Sequence, residues 1–152
     1  MYMSETILQN LVEQWEADAV IDKTDISGEI LRTPNLFAKY LKILCSWKQK
    51  RTATQIKLNE TKQLITRYYN GELDPKDCEK LLGRGQWQGN KPLRAALESM
   101  IAADPMVTRI ISQLEMIDNM IYASEQILSS IKSRDFALGT YTKYQMFIQG
   151  SK

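Results

Sequence analysis

The chain has no histidine and only two cysteines, Cys45 and Cys78. Without histidine the commonest general base and metal ligand is missing. Two cysteines far apart make neither a disulfide framework nor a zinc motif. No apolar run is long enough to span a bilayer, and no basic stretch precedes an apolar one at the N-terminus, so a reducing, cytosolic setting is expected. Strand signals are scarce, because no segment alternates apolar and polar residues for long. Proline numbers four, mostly where helices are expected to start. No catalytic constellation emerges either. Asp74, Asp77 and Glu79 sit beside Pro75 and read as capping and first-turn charge. The expectation is a non-enzymatic protein with no cofactor and no metal.

What is present is helical patterning through 152 residues, read as one all-α domain. An acidic N-terminal helix is expected within residues 1–22, opening at Ser4 and carrying Ile7, Leu8, Leu11, Val12 and Trp15 at helical spacing. A connection follows, and Thr33-Pro34 predicts the next start, threonine as N-cap and proline at the first position. The long basic helix is placed at 33–70, with Phe37, Tyr40, Leu41, Leu44 and Trp47 on its first apolar stripe. It would run about 50 Å at the α-helical rise. Asn70-Gly71 should end it. A variable loop region spans 71–92, including a short helix from Asp74-Pro75 and a flexible connection, Gly83 to Pro92, with three glycines in seven residues. C-terminal helices are expected over 93–150. Asp104-Pro105 starts one whose Val107, Ile110, Leu114, Ile117, Ile121, Ser124, Leu128 and Ile131 recur at spacings of three and four. A separate last helix is expected from about Ser133 to Ile148.

Charge is the strongest chemical signal. Residues 1–22 hold five acids and no base, whereas Lys39 to Arg67 holds eight bases against Glu60 alone. A solvated structural helix usually mixes signs to gain pairs at i,i+4. One-sided charge asks for an anionic partner, although acids of the first helix would also serve. Lys48, Lys50, Arg51, Lys57, Lys62 and Arg67 are the candidate phosphate contacts. Tyr68 at the end of the stretch is a candidate stacking platform for a base. Arg84 and Trp87 in the glycine-rich segment are candidate second contacts, though a plain connection explains that segment as well. No base-reading motif accompanies these residues, so shape-blind or single-strand binding suits them best. Near the C-terminus Phe136, Leu138, Tyr141, Tyr144, Phe147 and Ile148 need a surface, on their own protomer or on a neighbour.

Three short stretches resemble one family. Val20-Ile21-Asp22-Lys23-Thr24, Tyr68-Tyr69-Asn70-Gly71 and Ile131-Lys132-Ser133-Arg134-Asp135-Phe136-Ala137 are similar, in order and at kept spacing, to stretches of the UvsY-like recombination mediators of T-even-type phages. Phe147 and Gly150 follow at matching distances. The resemblance implies a protein that binds single-stranded DNA and assembles through its C-terminal helices into a ring-like homo-oligomer, a hexamer or heptamer. It implies help to a UvsX-type recombinase in displacing the phage single-stranded-DNA-binding protein, in the cytoplasm of the infected bacterial host. One departure stands out. The family's Lys-Ala-Arg-x-x-Tyr motif aligns with Gln63 to Tyr68, so its lysine and arginine fall on Gln63 and Ile65, with Lys62 and Arg67 beside them. The alternative on charge alone is a helical scaffold whose basic helix meets acidic protein partners.

Overall fold

The computed structural model describes residues 2–150, with side chains from 5 to 150. All regular structure among them is helical. Helix α1 spans Tyr2–Asp18, α2 Ile26–Tyr69, α3 Pro75–Asp77, α4 Arg94–Ala103 and α5 Pro105–Gly150, with one wide helical turn at Cys78–Leu82 after α3. The chain packs as two compact units. A terminal unit takes the residues up to Gln49 and those from Met116, and a central unit takes Lys50–Glu115.

In the terminal unit, the start of α2 differs from the sequence reading. The helix begins at Ile26, not at Pro34. Asp25 is the cap: its Oδ1 accepts the Gly28 N–H at 3.1 Å, and its carbonyl accepts the Glu29 N–H at 3.0 Å. A Cβ on Gly28 would collide with the Asp25 carboxylate, so glycine permits this cap. Pro34 is exposed inside the helix, where it removes one backbone hydrogen bond at a cost of about 3 kcal/mol. Packing offsets that loss, because Glu29, Thr33, Leu36, Tyr40 and Leu44 form a buried stripe that begins before the proline. The Thr33 hydroxyl is likewise turned inward, donating to the Glu29 carbonyl. Helix α1 is already formed at Ser4, so Ser4 is no N-cap; its side chain lies outside the described residues.

The core of this unit joins Leu11 of α1, Leu36, Tyr40 and Leu44 of α2, and Met120, Ile127, Leu128 and Ile131 of α5. Trp15 meets Tyr40 edge to face at 5.5 Å. The Tyr40 hydroxyl and Lys39 both donate to Asp18, at 2.8 and 2.6 Å. Ser124, the polar break in the heptad seam, is fully buried and donates to the Met120 carbonyl, which makes it neutral in the core. No break occurs near Ser133. The helix runs on to Gly150, since no glycine or proline interrupts it before Gly139 and Ile131, Arg134 and Leu138 keep one face buried. Arg134 donates to Glu29, and Arg32 donates both to Glu29 at 3.1 Å and to the carbonyls of Asp18, the last residue of α1, and of Val20 just beyond it. One carboxylate therefore ties α1, α2 and α5 together.

This pair generates a test. Glu29→Ala leaves the Arg134 guanidinium buried without its counter-charge, an arrangement that costs about 3–5 kcal/mol. Urea unfolding of the full chain should show that loss. Replacing both Glu29 and Arg134 by methionine should recover most of it. A change below about 1 kcal/mol for Glu29→Ala would remove the pair from the stabilising interactions.

Candidate nucleic-acid interface

In the central unit, α2 ends where the sequence placed its end. Gly71 has φ of 73°, its N–H donates to the Tyr68 carbonyl, and the Glu72 N–H donates to the Arg67 carbonyl. These are the two bonds of a Schellman cap, which needs a left-handed residue at that point. The cap fixes where Arg67, Tyr68 and Tyr69 stand.

Both tyrosines are core. Tyr68 is 6% exposed, and its hydroxyl donates to the Gly85 carbonyl at 3.0 Å. Its ring packs edge-on against Tyr69, and the Arg84 guanidinium lies over it at 5.0 Å. With its ring occupied in this way, Tyr68 presents no open face for a base. Tyr69 donates to Asp104 Oδ2 at 2.9 Å, and Trp87 meets Tyr69 edge to face at 5.0 Å.

Asp104 gathers these contacts. It caps α5 by accepting the Met106 N–H at 3.0 Å, as the Asp104-Pro105 pair predicts, and it takes both arms of Arg84 at 2.8 and 2.9 Å. Its side chain is wholly buried. Burial alone would push the carboxyl up, but Arg84, the Met106 N–H and the Tyr69 hydroxyl together hold it below the ordinary carboxylate range. Burial and the Asp104 charge in turn push the Tyr69 hydroxyl up. The stretch from Gly83 to Pro92 is irregular, as its glycines demand, yet it is anchored by Arg84, by Trp87 and by Gln86 donating to the Leu73 carbonyl. Arg84 and Trp87 are thus engaged within the unit. Nothing in the sequence announced this; the partner, Asp104, lies 20 residues on and was accounted for as a cap.

The remaining candidates are exposed. Lys50, Arg51, Lys57, Lys62 and Arg67 all stand on the solvent side of α2 in this unit. They do not share one face. Lys57 and Lys62, five residues apart, are separated by roughly 140° around the helix axis and flank the buried stripe of Leu58 and Ile65. Lys50 falls in line with Lys57, and Arg51 with Lys62, so the bases form two rows. Arg67 lies away from both and reaches Glu72 at 3.9 Å across open solvent. In the terminal unit, Lys48 approaches Glu125 at 3.9 Å and Lys39 is paired with Asp18, so acids of the same chain do meet part of the basic stretch there. Among the described residues no cluster of histidine, cysteine, aspartate and glutamate could hold a metal, and no helix is long and apolar enough to cross a membrane.

The model of one family, described as the recombination, repair and ssDNA binding protein UvsY, matches residues 14–151. The chain belongs to the UvsY family. Crystal structures of the bacteriophage T4 recombination mediator protein UvsY have the same fold. For lattice type II the TM-score is 0.80 at 20% identity, covering 93% of this chain and 96% of that one. For lattice type IV it is 0.80 at 21% identity, covering 92% and 98%. No curated protein matches the chain. As a UvsY-family protein it keeps the all-helical architecture while its own motif positions Gln63 and Ile65 carry no charge; Ile65 is fully buried.

The Asp104 cluster predicts a pH dependence. A carboxyl held below its unfolded value of about 3.9 contributes stability that is fully present above that value. The contribution is lost as pH falls through the folded value. Unfolding followed by tryptophan fluorescence should therefore show the chain weakening steeply below about pH 4. Asp104→Asn should be weaker at neutral pH and flatter through the acid range. Parallel curves for the two proteins would contradict this role of Asp104.

Proposed function

We propose that this chain is a recombination mediator. It binds single-stranded DNA and helps load a UvsX-type recombinase by displacing the single-stranded-DNA-binding protein, in the cytoplasm of the infected bacterial host. The family match over residues 14–151 carries this reading. The two rows of exposed bases support it chemically. Phosphates are contacted by Lys50, Arg51, Lys57, Lys62 and Arg67 of the central unit and by Lys48 of the terminal unit. Rows on both flanks of a helix suit a flexible single strand better than the fixed groove of a duplex. Tyr68, Arg84 and Trp87 hold the scaffold that presents these bases.

The protein acts as a homo-oligomeric ring, a hexamer or heptamer, closed by its C-terminal helix. Phe136, Tyr144 and Phe147 there are largely exposed, whereas Leu138 belongs to the protomer core. Tyr141 sits beside Ile26 and Ile30 of its own unit. A ring multiplies weak phosphate contacts into avid binding, since each further contact is made at high effective concentration. DNA held by many weak contacts is released stepwise to a recombinase that binds it more tightly. No step of this requires bond chemistry by the mediator itself.

Salt separates this mechanism from a protein scaffold. Each single-strand phosphate neutralised contributes about −0.7 to the slope of log K against log salt. Lys62→Ala with Arg67→Ala should flatten the slope by about 1.4 and weaken binding alike for every DNA sequence. Both positions are exposed, so the melting temperature should hold. An unchanged slope would take these two residues out of the interface.

A further inference from the structure

The C-terminal stretch of α5 carries a stripe that stands largely exposed among the described residues. Phe136, Lys143, Tyr144 and Phe147 recur at i, i+7, i+8 and i+11, which places them on one side of the helix. Phe136 and Phe147 are 79% and 74% exposed, while Leu138 on the opposite side is buried. In the same unit lies an open groove of about 500 Å³, walled by Leu8, Val12 and Trp15 of α1 and by Tyr122, Ala123 and Ile127 of α5. Val12 and Tyr122 are about half and two-thirds exposed there. The groove is mostly apolar, its remaining lining residues being the uncharged Asn119, Gln126 and Ser130, and the helix that forms one wall is opposite in charge to the stripe. Helix α1 carries Glu5, Glu13, Glu16 and Asp18 and no base, while Lys143 is the sole charged residue from Phe136 to Gly150.

The stripe cannot fill the groove of its own chain. Both lie on α5, which is one continuous helix from Pro105 to Gly150 and does not fold back on itself. The pairing is therefore possible only between copies. We infer that the groove between α1 and α5 receives the Phe136–Phe147 stripe of a second copy of this chain, with Lys143 set against the acids of α1. Such a contact is head-to-tail: each copy offers a stripe to one neighbour and a groove to the other, and repetition closes a ring when the rotation allows. This inference rests on the proposed role of the C-terminal helix in assembly and adds the surface that receives it.

Sedimentation of the full chain and its variants tests it. Val12→Lys with Tyr122→Lys spoils the groove at exposed positions, and Lys143→Glu with Phe147→Ser spoils the stripe. Each variant alone should sediment as a single chain with an unchanged helical spectrum. Mixed, they should form a one-to-one pair, because one still has a stripe and the other still has a groove. Lys143→Glu alone should loosen the assembly, and Glu16→Lys added to it should restore the original mass. A groove variant that stays fully assembled while the stripe variant falls apart would overturn the groove and leave C-terminal assembly standing. If neither variant changes the mass, or if the unmodified chain sediments as one copy, C-terminal assembly fails and the groove with it.

Discussion

Asp104 is a buried carboxylate in a unit of modest size, and burying a charge costs several kcal/mol unless hydrogen bonds replace its water. Here they do. Both oxygens are occupied by the forked guanidinium of Arg84, the Tyr69 hydroxyl and the first free N–H of α5. The consequences spread through the central unit. Arg84 bends the glycine-rich segment back over Tyr68, Trp87 closes on Tyr69, and the end of α2 is held against the start of α5. The aromatic residues are drawn inward, while Lys50, Arg51, Lys57, Lys62 and Arg67 of α2 remain exposed.

The terminal unit is built on the same logic, with Glu29 in the central place. It takes Arg134 from α5 and Arg32 from its own helix, and Arg32 also satisfies carbonyls at the end of α1. The end of α1 is thereby held by hydrogen bonds in addition to the packing of Leu8, Leu11 and Trp15 in the core. At the other end of the unit, α5 extends past that core. Beyond Leu138, α5 carries the aromatic rings of Tyr144 and Phe147, which its own unit leaves largely exposed, and an exposed apolar patch of this kind marks an interaction surface.

Much of this was legible in the amino-acid order. The apolar periodicity of Phe37, Tyr40 and Leu44 and the seam from Val107 to Ile131 gave the long helices, and Asn70-Gly71 and Asp104-Pro105 gave two true boundaries; the buried Leu36 beside them was not singled out. Thr33-Pro34 misled, because a proline is a cheap helix start and a costly interior residue, and only the packing of Glu29 and Thr33 makes the interior placement tolerable. The signal for the real start was Asp25 followed three residues later by glycine. The continuity of α5 was hidden by the same limitation: Arg134 reads as solvated until Glu29, more than a hundred residues away, is seen beside it. Within the candidate interface, the bases could be counted but not arranged. Their two-row distribution follows from spacings of seven residues (Lys50 to Lys57) and eleven (Arg51 to Lys62), while the inward turn of Tyr68 and Arg84 depends on Asp104, which local pattern does not connect to them.

What the fold provides is an array of exposed lysines and arginines along α2, in a chain of the UvsY family. We propose that this array serves recombinase loading and not merely storage of DNA. It is tested most directly by the rate at which a UvsX-type recombinase forms filaments on single-stranded DNA already covered by its binding protein. Adding this chain should raise that rate, and adding the Lys62→Ala, Arg67→Ala variant should raise it less. A chain that binds the DNA tightly yet leaves the rate of filament formation unchanged would contradict the account.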